Sequence, residues 1–93
     1  MKEFQKVKLD DYLDMPEKRA AYLEEAVAAN DPDFLKVAIG DVAKAVGMAK
    51  IAEAAGLNRA NLYRSFSEEG NPTMATLIAV LDCVGLKLSA VPK

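Results

Sequence analysis

The side chains best suited to chemistry in this chain lie together in the run NRANLYRS, from Asn58 to Ser65. Arg pairs with the guanine edge and Asn with the adenine edge in the major groove of DNA. Arg and Tyr also reach phosphate oxygens. Leu62 and Phe66 stand four residues apart, the spacing of a buried helical stripe. With those two inward, Arg59, Ala60, Asn61, Tyr63 and Arg64 face outward. Asn58 suits the N-cap of the same helix and could also touch the DNA backbone. The capped helix start favours a phosphate, and Lys50, at the start of the preceding helix, could hold another. The competing reading makes Arg59, Arg64 and Lys50 solvated surface charges and Tyr63 an ordinary core aromatic.

Other chemistries find less support. Asp10, Asp11, Asp14 and Glu17, like Glu24 and Glu25, could be imagined as catalytic carboxylates or metal ligands. They fit caps, first-turn charges and solvated helix faces better, and the chain has no His. There is no Gly-rich phosphate loop, no Cys–His pair and no nucleophile beside a base. We therefore expect no enzyme activity, no metal and no cofactor. Cys83, the single cysteine, follows an apolar helical pattern with Leu81 and Val84 and reads as a packed thiol.

The charge distribution points to the same stretch. The formal net charge is −2, which argues against coating nucleic acid by bulk electrostatics, because phosphate affinity follows local cation density. Residues 1–47 carry 7 basic and 10 acidic groups, residues 48–66 carry 3 and 1, and residues 67–93 carry 2 and 3. Positive charge is concentrated between Met48 and Phe66.

Several helices must position that stretch. After a polar start, Leu9 to Leu13 reads as one helical turn, with Asp14 as a cap and Pro16 in the first turn of a helix that runs to about Ala29. Tyr22, Leu23, Ala26 and Val27 form its apolar face. Asp31 and Pro32 open the next helix, with Leu35, Ala38, Ile39, Val42 and Val46 on one face. Gly47 is expected to end it in the left-handed conformation, and Gly40 within it marks a close helix crossing. Met48 to Ala55 and Asn58 to Phe66 are two short helices joined at Gly56 and Leu57. Ile51, Ala52 and Ala55 give the first a small apolar face, and Leu57 plugs the space between them. The loop Ser67–Pro72 precedes a last helix, Thr73 to Val84, with Leu77, Val80, Leu81 and Val84 inward and Gly85 at its end. Leu86 to Pro92 alternates apolar and polar residues and reads as a short extended segment that needs a partner strand. The fold class is all-α with five or six helices. One domain spans residues 1–93, with the helix-turn-helix at 48–66 and residues 1–46 as a helical extension packed on it.

With these residues in view, the run from Met48 to Val91 resembles the helix-turn-helix domain of the lambda repressor and Cro class. The whole chain looks still more like the HigA-like addiction-module antidote proteins. The segments that carry the likeness are DYL at Asp11, AAYLEEA at Ala20, GDVAKAVGM at Gly40, AGLNRANLYRSFSEEGNPT at Ala55 and LDCVGLKL at Leu81. The sequence departs from the broader repressor class at Met48, where a polar Gln commonly opens the second helix.

The resemblance implies a lambda-repressor-like fold and a DNA-binding antitoxin, encoded beside a RelE/HigB-like toxin, that neutralises the toxin and represses their shared promoter. Carried over residue by residue, its outward positions are Asn58, Arg59, Asn61, Tyr63 and Arg64. The expected partners are double-stranded operator DNA, the cognate toxin and a second copy of the chain, since paired recognition helices read paired half-sites. The acidic N-terminal half suits docking on a basic toxin. The apolar stretches are shorter than a membrane helix needs and the first residues lack a signal-peptide pattern, so a cytoplasmic protein is expected. Two alternatives stay open: a free-standing Cro/CI-type regulator without a toxin, and a helical protein-interaction module that binds no DNA.

Overall fold

The computed structural model describes Leu9 and residues 11–93. The polar start, residues 1–8, and Asp10 of the acidic cluster lie outside the described residues. Among the described residues the chain is all-helical, with five helices and no strand. They are α1 (Pro16–Ala28), α2 (Pro32–Val46), α3 (Met48–Ala55), α4 (Arg59–Ser65) and α5 (Met74–Cys83). Ahead of them the Leu13 N–H donates to the Leu9 carbonyl at 2.9 Å, closing one helical turn.

Two starts that look alike in sequence are built differently. Asp31, directly before Pro32, accepts from the amides of Asp33 and Phe34 and caps α2. Asp14 stands one residue too early: the cap position before Pro16 belongs to Met15, which makes no side-chain cap. The expected Asp14 cap is therefore absent, and its carboxylate instead faces Lys18 Nζ at 3.4 Å. The end of α2 also differs from expectation. Gly47 has a positive φ, 124°, but ψ is 110°, so it redirects the chain straight into α3 without a left-handed helical cap.

α2 packs against α1 and α3, and α3 packs against both α4 and α5. One continuous core joins them, built from Leu13, Leu23, Ile39, Val42, Ile51, Leu62, Phe66, Val80 and Val84 among others. Burying a side chain of this size is worth roughly 1.5–3 kcal/mol. Gly40 makes the expected crossing: a Cβ there would lie 3.3 Å from the Phe66 Cβ. Val27 departs from expectation. It is 59% exposed while Leu23 and Ala26 are buried, because α1 rests chiefly on α2 and buries only a narrow stripe.

Arg19 fastens the two ends of the fold together. Its guanidinium donates to the Leu13 and Val84 carbonyls, each at 3.0 Å, tying the N-terminal turn to the end of α5. Residues 86–93 continue without helix or strand. The extended segment read from Leu86 to Pro92 thus has no strand partner among the described residues.

Candidate nucleic-acid interface

α3 and α4 meet at a turn that the sequence specifies residue by residue. Gly56 adopts φ 67° and ψ 34°, a conformation that costs other L-residues about 1 kcal/mol or more. Nothing would crowd a Cβ there, so backbone conformation alone asks for glycine. The Leu57 N–H then returns to the Ala52 carbonyl at 2.8 Å, and its side chain packs against the core. Asn58 Oδ1 accepts from the Asn61 amide at 3.0 Å and starts α4.

Leu62 and Phe66 are buried at 2% and 6% exposure, which fixes the rotation of α4. Asn58, Arg59, Ala60, Asn61, Tyr63 and Arg64 all stand exposed, as does Lys50 on α3. The structure thus brings the expected polar set onto the outer side of one short helix, with Lys50 on its neighbour.

Within that set the side chains are paired in two tiers. Arg64 Nη1 donates to Asn61 Oδ1 at 3.0 Å, and the Arg59 guanidinium lies 5.8 Å from the centre of the Tyr63 ring, within cation–π range. Each contact restrains a flexible arginine and leaves other donors free, since a guanidinium carries five N–H groups. No ion pair among the described residues engages Lys50, Arg59 or Arg64, so their charges are open to an anionic partner. Met48, by contrast, is only 3% exposed. It is a core residue, and the outward contact that a polar residue could make from the start of α3 is not available here.

Lys36 was not legible as part of this arrangement. It lies on α2 at 8% exposure, and its Nζ donates to the carbonyls of Glu68 at 2.8 Å and Gly70 at 2.9 Å. It thereby fastens the loop that leaves α4. Gly70 in turn sits so close beneath the Arg64 and Ser65 carbonyls that a Cβ would collide with that backbone. The Ser67 hydroxyl also donates to the Arg64 carbonyl, at 2.7 Å. The end of α4 is therefore held from below. The sequence hint is a lone lysine four residues before Gly40 on an inward face, which becomes informative only once its distant acceptors are known.

Asp11, Asp14, Glu17, Glu24 and Glu25 are all exposed, and among the described residues no group of acidic, Cys or His side chains is placed to hold a metal ion. Cys83 is a half-buried free thiol packed against the core. Among the described residues no helix is long and apolar enough to cross a membrane.

Comparison with known proteins agrees with the resemblance seen in the sequence at its coarser level. No solved structure matches the chain. An uncharacterized protein of Haemophilus influenzae is 35% identical over 77 residues, covering 83% of this chain and 79% of that protein. The family model described as "Probable addiction module antidote protein" matches residues 3–92. This chain belongs to that family of addiction-module antidotes.

Proposed function

We propose that this chain is a DNA-binding antitoxin of a type II toxin–antitoxin module, acting in the cytoplasm. As a homodimer with a lambda-repressor-like fold, it occupies operator DNA, blocks transcription of its own operon and neutralises a RelE/HigB-like toxin. The whole chain, residues 1–93, acts as one domain, with the helix-turn-helix at 48–66 and residues 1–46 packed on it. The observation that carries the DNA-binding half is the outward polar set on α4, held by a buried Leu62 and Phe66 and free of ion pairs among the described residues. Membership in an antidote family supports the toxin-neutralising half.

In this reading α4 enters the major groove. Arg59, Asn61 and Arg64 meet base edges, Ala60 allows close approach, Tyr63 lies along the groove wall, and Asn58 and Lys50 meet phosphates. Two copies placed one helical turn apart on the duplex combine their weak individual contacts. Repression follows from occlusion of polymerase. An electrophoretic mobility shift with the DNA upstream of the chain's own operon tests this. Retardation at micromolar protein and moderate salt is expected, and its absence both with and without the partner protein defeats autoregulation.

A further inference from the structure

Two shallow depressions meet at Asp31, one at the α1–α2 corner and the other between the start of α2 and the loop that leaves α4. Val27 and Leu35 line one, and Phe34, Val37, Asp33 and Glu68 line the other. Val27 is 59% exposed, Phe34 48% and Val37 43%. Phe34 and Val37 lie one turn apart on α2, on one face. Exposed apolar side chains are ordinary singly, but an adjoining group with a polar rim is the form of a contact surface.

The rim is acidic. Asp31, Asp33 and Glu68 are exposed; the nearby cation, Lys36, donates to two backbone carbonyls and lies 3.9 Å from the Asp33 carboxylate, which stays 91% exposed, so the rim keeps a net negative charge. A negative rim opposes the phosphates of a nucleic acid. A second copy of this chain seated symmetrically on the same face would set that rim against itself, and like charges across an interface are costly. The surface fits a protein that presents an apolar segment flanked by Lys or Arg. Family membership supplies a candidate partner, the toxin that an antidote opposes.

We propose that this surface around the start of α2 is where the chain holds its toxin, with Phe34 and Val37 as apolar anchors and Asp31, Asp33 and Glu68 facing basic side chains of the partner. The proposal rests on the antitoxin reading above, and it places the toxin on a different set of residues from those assigned to DNA.

The purified protein encoded beside this chain's gene is the probe, titrated against the full chain by calorimetry. Val37→Arg and Phe34→Ala each weaken binding by about tenfold or more. Glu68→Lys weakens it and flattens its salt dependence. Because all three positions are solvent-facing, circular dichroism of the variants matches that of the wild type. Wild-type binding that survives Val37→Arg and Phe34→Ala unchanged overturns this surface and leaves the antitoxin reading standing. If the wild type does not bind the probe at all, the antitoxin reading falls and the surface with it. If Val37→Arg instead shifts the sedimentation of the chain alone, the face belongs to a second copy and the proposal is overturned.

Discussion

Arg64 donates a 3.0 Å hydrogen bond to Asn61 across one turn of α4, so the two side chains that could read bases are not independent. Asn61 restricts the rotamers of Arg64 and leaves its other guanidinium donors available. Ordering before contact lowers the entropy lost on binding.

Asn61→Ala should therefore cost more than a single base contact. It removes its own contact and frees Arg64, weakening operator binding by more than the about 1–3 kcal/mol of one base contact and relaxing discrimination at the positions that Arg64 faces. Competition binding with single-base operator variants measures both effects. Equal discrimination by wild type and Asn61→Ala would show that the pair does not act together.

Lys36→Met should destabilise the fold and loosen the end of α4 together. The substitution keeps the aliphatic stem but leaves the Glu68 and Gly70 carbonyls without the ammonium that now binds both. Hydrogen bonds to charged groups contribute about 1.5–3 kcal/mol, and urea unfolding should register a loss of that size. An unchanged midpoint and slope would mean that water replaces the ammonium at no cost.

Gly70→Ala should act on the same junction from the other side. Its methyl group has no space beneath the Arg64 and Ser65 carbonyls, and backbone cannot yield as a flexible side chain would. The loop must shift, at about 1–3 kcal/mol by analogy with overpacked cores. Gly56→Ala, by comparison, meets no atoms and pays only for its positive φ, about 1 kcal/mol. Thermal unfolding of the two variants should rank Gly70→Ala as the more damaging.

These two positions also mark how far the sequence could be read. Leu62, Phe66 and the Gly56 turn were legible because helical spacing and a left-handed turn are local demands, and together they settle which residues of α4 face outward. Asp31 was legible for the same reason, whereas Asp14 misled because a cap one residue early cannot reach the amides beyond Pro16. Val27 fits the helical period of α1, yet only the narrowness of the α1–α2 contact leaves it exposed. The roles of Lys36 and Arg19 were not legible. Their acceptors lie 32 to 65 residues along the chain, apart from the near contact of Arg19 with Leu13, and no local pattern announces which carbonyl a buried cation will meet.

Tyr22 gives the fold a pH dependence at the alkaline end. Its hydroxyl donates to Asp41 at 2.9 Å, joining α1 to α2. Burial first, then that hydrogen bond and the negative charge of Asp41, push the phenol up from 10.0 to about 12. Below pH 10 the phenol is neutral in both folded and unfolded chains, and the stabilisation is fully present. Between pH 10 and about 12 the unfolded chain loses its proton first, so stability falls as pH rises. Tyr22→Phe should cost about 1 kcal/mol near neutrality, and that deficit should shrink across the same alkaline interval. A deficit that stays constant with pH would contradict the assigned shift.

The most direct test of the central claim is fluorescence anisotropy of the labelled upstream DNA, titrated with wild type and with the Arg59→Ala/Arg64→Ala double variant. Both arginines are exposed and outside the core, so the variant should fold as the wild type does. The account predicts saturable wild-type binding that weakens as salt rises, with the double variant reduced by roughly tenfold or more and a shallower salt slope. Equal affinity and equal salt slope for the two proteins would contradict it.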